Sequence, residues 1–427
     1  MCARDACRHL TVQVADTGGF YTLPPEFPLS PVVMVPDAAD PAAALGDTPA
    51  DSRLRLRGRT VGFLAALAGL TAGLLYAFTG QSWLDALRPL EDLSGLDWAS
   101  LYATVVLVRL ATPLVADRDR LRLYWRRLRG DPVGLLALTG VALFALVGAV
   151  GPLFTPPDPV VRPAASYQPP VGFTTPEAVS FSCVGPVTDG ACHGTWRFPL
   201  GTTAEGNDVA TLLLAGGRVA LQITVVTAAL VVPLGVAVGA VAGFVGGLAD
   251  DVLVGAADAV AIVPPFVAYV ILAFVLARGA GDMLLLVAVF GTLGWTGVAR
   301  AVRESVRSRR EASYVTAAVS AGASRLWVLR HHLLPNVADT VVASAAQQIA
   351  LLVLAEAALS YLGYGVASVH SWGSLVAAGT RGGVSGDLLT TWWISTFPAL
   401  ALVVAVVSLS LFGDSLRDVL DPERGGA

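Results

Sequence analysis

Eight separate stretches of this chain are apolar over roughly 20 residues each, the length a helix needs to cross the hydrocarbon core of a bilayer. They run over Thr60–Thr79, Trp98–Ala116, Pro132–Leu153, Val219–Val245, Val252–Leu276, Met283–Val302, Val337–Leu362 and Thr390–Leu411. Composition agrees: hydrophobic residues make up 55% of the chain and charged residues 14%, against about 25% charged in a soluble domain. The expected fold is an all-α, polytopic integral membrane protein with eight transmembrane helices.

The chain has no lysine, and all 28 of its basic residues are arginine. Positive residues are retained on the cytoplasmic side of a membrane. Arg53, Arg55, Arg57 and Arg59 precede the first stretch, and Arg118, Arg120, Arg122, Arg126, Arg127 and Arg129 separate the second from the third. Arg300 lies at the end of the sixth stretch, Arg303, Arg307, Arg309, Arg310, Arg325 and Arg330 lie between it and the seventh, and Arg417 and Arg424 follow the eighth. With both termini cytoplasmic, every one of these groups falls inside. Arg109 lies within the second stretch but close to its inner end, where it can snorkel to the interface. The missing lysine also excludes a P-loop, whose lysine holds the nucleotide phosphates. If ATP drives this protein, another subunit binds it.

Residues 1–57 are polar and broken by prolines, and read as a disordered cytoplasmic tail. No apolar core follows the first arginines, so the tail is not a signal peptide. Cys2, Cys7 and His9 fall in it, and no metal site is expected of them. Residues 58–131 read as an added two-helix hairpin with a basic linker, and residues 132–427 as the transmembrane core. Removing the hairpin subtracts an even number of crossings and keeps the core's orientation, so it reads as dispensable. An outside loop over 155–217 holds Cys183 and Cys192, and oxidising surroundings permit these two to pair as a disulfide.

Between the sixth and seventh stretches, over 301–336, lies a polar segment reading Tyr314-Val-Thr316-Ala317-Ala318, then Gly322-Ala323-Ser324, then His332-Leu-Leu334-Pro335-Asn336. Ala317, Ala318, Gly322 and Ala323 offer a close-packing surface with almost no side-chain entropy to lose. Gly322 can interrupt one helix, Ser324 can cap the next, and Pro335 suits the early part of the seventh helix. The bland alternative is an ordinary loop with chance alanines. The segment resembles the cytoplasmic coupling loop of ABC-transporter permeases, in the form found in the dipeptide/oligopeptide/nickel importer family. Thr316 stands where the general signature has Glu, and His332 where it has Ile.

Three further motifs follow the same family's C-type permease subunit in order. They are Leu200-Gly201-Thr202 through Gly206 and Asp208 to Gly217-Arg218-Val219; Asp250 through Asp258 to Pro264-Pro265; and Gly413-Asp414 through Arg417-Asp418 to Asp421-Pro422. Glu356 through Gly363 and Ser371-Trp372-Gly373 extend the coupling-loop match. Thr203 and Asn207 replace an acid and an arginine of the family pattern, and Gly255 stands where it often has arginine. The resemblance implies a transport subunit and not an enzyme, in a prokaryotic plasma membrane. It implies partners: a homologous permease, two ATP-binding subunits carrying ATP and magnesium, an extracellular solute-binding protein, and membrane lipid, but no nucleic acid. No cofactor and no catalytic residue are expected in this chain.

Glu356, near the outer end of the seventh stretch, is either a translocation-path residue or a hydrated or helix-paired carboxylate. Gln347 and Gln348, deeper in the same helix, either line the path or bond across helices. Asp414, Arg417, Asp418 and Asp421 recur at spacings of three or four and can pair along one face; their resemblance to the family terminus implies an inner-face contact. The alternatives are a self-contained secondary transporter, which needs inverted repeats that the sequence lacks, and an intramembrane enzyme. For the latter, His331-His332 is not a zinc-binding His-Glu-x-x-His pair and no Gly-x-Ser-x-Gly is present.

Overall fold

The computed structural model describes residues 11–13, 20–22, 62–72, 95–115, 118–154, 161–180, 182–276, 283–365, 370–381 and 389–420. The chain divides into two units, residues 1–62 and 63–427. In the first unit, strands β1 (Thr11–Gln13) and β2 (Phe20–Thr22) pair antiparallel, with Val12 opposite Tyr21. These two three-residue strands fall within the tail, whose sequence reads as mostly disordered, and β-branched and aromatic residues suit them. The rest of the tail, with Cys2, Cys7 and His9, lies outside the described residues.

The second unit is a helical bundle. Helix α1 (Gly62–Ala72) is short and apolar, and α2 spans Gly95–Val115. Helix α3 (Arg118–Gly130) leads into α4 (Pro132–Val150). Beyond the outer segment come α5 (Val209–Val245), α6 (Gly247–Ala261), α7 (Pro265–Leu276), α8 (Met283–Leu293) and α9 (Thr296–Arg309). Among the described residues, five helices are long and apolar enough to cross a membrane, with α8 and α9 together counted as one. The number is six if α6 and α7, bent by 59° where Pro264 and Pro265 interrupt the helix, form a single crossing. These six cover the last six expected stretches. Of the first stretch the described part is the short α1, and α2, over the second, is not among these helices, so a count of eight is not established.

Helix α4 starts where the sequence dictates. Pro132 needs no N–H partner at a first helical position, and the Asp131 carboxylate accepts from the Val133 amide at 3.0 Å. The Ser415 hydroxyl and the first amides of α4 hold that carboxyl below the usual carboxylate range.

Glycine determines how closely the helices approach. On α5, Gly235, Gly239 and Gly243 recur every four residues and face α9. A Cβ at Gly239 would lie 2.4 Å from the Ala299 carbonyl oxygen, and one at Gly243 2.6 Å from that of Arg303. Backbone therefore meets backbone along this seam, the small-residue packing expected where lipid supplies no hydrophobic drive between helices. Elsewhere Gly148 of α4 meets Leu221 of α5.

The two-helix addition is not separate from the core. Leu96 and Ala103 of α2 share one buried cluster with Val219 and Ile223 of α5 and Leu286 of α8. Asp97, at the start of α2, accepts a hydrogen bond from the Arg218 guanidinium at 2.5 Å and another from the Gln222 amide. Helix α1 follows through Tyr102, whose hydroxyl donates to Thr71 at 2.9 Å. Deleting residues 1–116 would therefore strip an ion-pair partner and an apolar face from α5, contrary to the dispensable role expected from the sequence.

Two outcomes follow. Gly239→Leu is expected to abolish recovery of monodisperse protein, because overpacking a tight contact costs about 1–3 kcal/mol or more. Gly255→Leu, with nothing within 4 Å of its Cβ position, should leave it unchanged, as read by fluorescence-detected size exclusion. Asp97→Ala should lower the melting temperature in detergent, because it leaves Arg218 without its carboxylate. The loss should fall short of the roughly 3–5 kcal/mol that breaking a fully buried pair costs, since the Arg218 side chain is 38% exposed. An unchanged melting temperature would contradict the role of the pair.

Candidate coupling site

The segment after α9 folds as a compact bracket of short helices. Helix α10 (Ser313–Ser320) is followed by α11 (Arg325–Val328), a wide turn over Leu329–Leu333, and α12 (Leu334–Asn336). Then α13 (Ala338–Tyr361) begins. Buried Val315, Val328, Leu333 and Val337 sew the bracket to Val302 and Val306 of α9.

Local chemistry explains each break. Helix α10 ends in a Schellman motif: the Gly322 amide donates to the Val319 carbonyl at 2.9 Å and the Ala323 amide to the Ala318 carbonyl at 3.1 Å. Gly322 carries the left-handed conformation this closure needs, with φ +86°. Ser324 then caps α11, its hydroxyl accepting from the Trp327 amide at 3.3 Å. Pro335 has no N–H to return to the preceding turn, and that turn widens so that the Leu334 amide reaches back five residues to the Leu329 carbonyl.

The outcome is an exposed apolar hollow, floored by Ala318, Ala321, Gly322 and Ala323 and walled by Trp327 and His332. Trp327 stacks on His331 with ring centroids 4.8 Å apart and meets His332 edge-on at 5.0 Å. Tyr314 closes the other side of His332 at 6.2 Å. Tyr314, Thr316, Ala317 and Leu326 are exposed around it. Pro335 is exposed and Leu334 half-buried at the exit toward α13. So the sequence-expected residues Tyr314, Ala318, Gly322, Ala323 and His332 come together, with Thr316 and Ala317 on the adjoining exposed face of α10.

Arginines brace this bracket to the bundle. Arg303 makes a two-pronged bond to Asp250 of α6, at 2.5 and 2.7 Å. Arg309 donates to the Asn336 carbonyl and reaches both oxygens of buried Asp339, at 3.3 and 3.4 Å. The end of α9 is thereby tied to the start of α13. Arginine suits such sites because its planar fork matches a carboxylate.

The three candidate path residues do not converge. Gln347 is exposed on α13. Gln348 turns inward, its amide nitrogen 3.2 Å from where a Cβ on Gly294 would stand. Glu356 is buried and accepts from the Ser360 hydroxyl at 2.7 Å. Asp258 and Arg300, not singled out as a pair in the sequence, form an exposed ion pair at 3.5 Å linking α6 and α9. Charges within apolar helices were the available signal. Asp414, Arg417 and Asp418 are exposed along the end of α15 (Trp393–Leu420), while Asp421 lies outside the described residues.

At the other end of the bundle, the segment between α4 and α5 includes a small folded cap. Strands β3 (Thr174–Pro176), β4 (Val187–Thr188) and β5 (Ala191–His193) form an antiparallel sheet with β5 in the middle. Asp189 and Gly190, both at positive φ, make the two-residue turn between β4 and β5. Cys183 and Cys192 are joined as a disulfide with their Cα atoms 5.7 Å apart. Buried Gln168 was not singled out in the sequence. Its carboxamide donates to the Ser182 carbonyl and accepts from the Val184 amide. The cap is fastened to α15 by the Trp393 indole, which donates to the Thr202 carbonyl at 3.1 Å. Between them, helix α14 (Trp372–Arg381) sends its Trp372 indole N–H to the Leu213 carbonyl at 2.8 Å.

Non-reducing digestion of the membrane-extracted protein should yield one linked peptide pair containing Cys183 and Cys192. Cys192→Ser should lower the stability of the cap by up to about 3 kcal/mol, the loop-closure value for so short a loop. Full alkylation of both cysteines without reductant would exclude the bond.

Two family models match the chain. One describes the binding-protein-dependent transport system inner membrane component and covers residues 235–425. The other describes the N-terminal TM domain of oligopeptide transport permease C and covers residues 120–170, so the likeness begins within α3, ahead of the expected boundary at 132. The oligopeptide transport system permease protein OppC of Mycobacterium tuberculosis is 34% identical over 226 residues, 52% of this chain and 75% of that protein. Its Haemophilus influenzae namesake is 33% identical over 224 residues, 52% and 70% of the two chains. The dipeptide transport system permease protein DppC of Bacillus subtilis is 29% identical over 300 residues, 70% and 84% of the two chains.

Proposed function

Because the chain belongs to the family of binding-protein-dependent transport inner membrane components, we propose that it is one permease subunit of an ATP-driven importer of peptides or similar small solutes. In this reading a homologous permease supplies the other half of the path. Two ATP-binding subunits dock at the bracket between α9 and α13, and a solute-binding protein delivers substrate to the capped side. The arginine-rich end is cytoplasmic, as are both termini.

The observation that carries the reading is the form of the bracket. An exposed, apolar, side-chain-poor hollow held on braced short helices can receive a partner's protruding side chains without reorganising. The bracket runs through α12 into α13, and Arg309 ties both to α9. A push on the hollow therefore moves two membrane helices as a body, which is what biasing a two-state membrane domain requires. Nucleotide chemistry belongs to the partners, since no P-loop lysine exists here. The exposed end of α15, with Asp414, Arg417 and Asp418, offers a further inner-face contact.

The test uses two variants at one position. Gly322→Asn, which tolerates a left-handed backbone, should retain most uptake and co-purify the ATP-binding subunits. Gly322→Arg should insert normally, yet lose both uptake and co-purification, because a long charged chain would fill the hollow. Normal uptake by the Arg variant would refute docking at this surface, and substrate transport by the purified chain alone would favour a self-contained transporter.

A further inference from the structure

Two arginine–aspartate pairs join α6 to α9, and they are built differently. Arg303 and Asp250 form a closed fork of two short bonds, with side chains 23% and 12% exposed, and brace the helices. Arg300 and Asp258 touch at a single 3.5 Å contact, with side chains 53% and 61% exposed. Both charges of this second pair stand open. Exposed Gly255 and Ala259 on α6 and Gly297 on α9, each a turn or less away along its helix, leave the space beside them clear. Nothing lies within 4 Å of the Cβ position of Gly255.

The packing of α13 on α9 gives the depth of the open pair. Helix α13 is apolar enough to cross a membrane, and its 24 residues cover about 36 Å. Thr340 of α13 donates to the Ser305 hydroxyl of α9 at 3.0 Å. Eight residues on, the Gln348 carboxamide oxygen stands 3.8 Å from the Cβ position of Gly297, which lies eight residues back along α9. The two helices are therefore antiparallel and in register over this stretch. Gln348 is ten residues into α13, and Arg300 is one turn of α9 short of that level. Arg300 thus sits about 10 Å into the span from its bracket end, by the rise of a helix. The hydrocarbon core is about 30 Å thick, so this pair falls within it. Charges at such a depth are costly against lipid, and they face a water-filled cavity or a protein partner.

We propose that Arg300 and Asp258 line the translocation path and engage a zwitterionic peptide in passage, the guanidinium taking its carboxylate and Asp258 its ammonium. This rests on the importer reading. Chemistry selects the occupant. A solute carrying both charges can replace the contact that each side chain makes with the other, so neither is left unpaired in a low-dielectric wall. A neutral solute offers no such exchange. Meanwhile the Arg303–Asp250 fork keeps α6 and α9 together.

The test uses the whole importer in liposomes with its solute-binding protein, and tri-alanine as the transported probe. Arg300→Gln and Asp258→Asn should each lower tri-alanine uptake per ATP hydrolysed at least about tenfold, the loss of a charge-assisted bond. Arg300→Lys and Asp258→Glu should keep most of it, and the ATP-binding subunits should co-purify throughout. A second measurement needs no substrate. With Cys2 and Cys7 changed to serine, Gly255→Cys should react with a charged methanethiosulfonate at least about tenfold faster than Leu143→Cys on the exposed face of α4, because a thiolate forms only where water reaches. Equally slow labelling at both positions would mean that lipid or the partner permease covers the pair, and would overturn the proposal. Fast labelling with unchanged uptake per ATP would overturn the contact with substrate. Loss of the ATP-binding subunits from the Gln and Asn variants would assign the pair to assembly instead. Each of these outcomes leaves the importer reading to the Gly322 variants, whereas failure of the wild-type importer to move tri-alanine would count against both.

Discussion

The glycine seam between α5 and α9 is the contact on which the rest of the molecule depends. At Gly235, Gly239 and Gly243 the two helices touch backbone to backbone, and no side chain but hydrogen fits between them. Helix α9 is the strut from which the bracket of short helices hangs, through Val302 and Val306. Were α5 and α9 held apart by ordinary side chains, the Arg303–Asp250 fork and the Arg309–Asp339 brace could not both close. Close packing in the membrane thus sets the position of an element outside it.

From that strut the logic runs outward. The bracket is built of pieces too short to be stable helices in water, and each is held by a specific device: the Schellman closure at Gly322, the Ser324 cap, and the widened turn ahead of Pro335. Its interior valines and leucines bury against the bundle, leaving alanine, glycine and a Trp–His cluster outward. A surface of this kind loses little entropy when covered. The far side has its own rigid unit, a disulfide-joined sheet tied to α15 through Trp393 and Thr202. Both faces of the bundle therefore carry preorganised surfaces joined by long helices.

Helix α2 shows how the reading of a domain boundary can mislead. Its sequence lies outside both family matches, and an even number of added crossings makes a hairpin look detachable. In the folded chain its Asp97 neutralises Arg218 and its Leu96 and Ala103 complete the apolar cluster of α5 and α8. An addition to a family's core can become part of that core once a charge on each side has been placed for the other.

The sequence by itself determined the helical membrane class, the breaks between the short helices that follow α9, and the family. These rest on local signals: runs of apolar residues as long as a bilayer is thick, glycine where φ must be positive, serine where a helix must be capped. Tertiary structure decided which of these residues meet. Gln347, Gln348 and Glu356 share a helix, yet one is exposed, one turns toward Gly294 and one is buried, because a helix turns each residue by about a quarter of a circle. The pairs Asp97–Arg218, Asp258–Arg300 and Arg309–Asp339 join residues 121, 42 and 30 positions apart. No spacing rule reaches that far. Only the close approach of packed helices brings such charges within bonding distance.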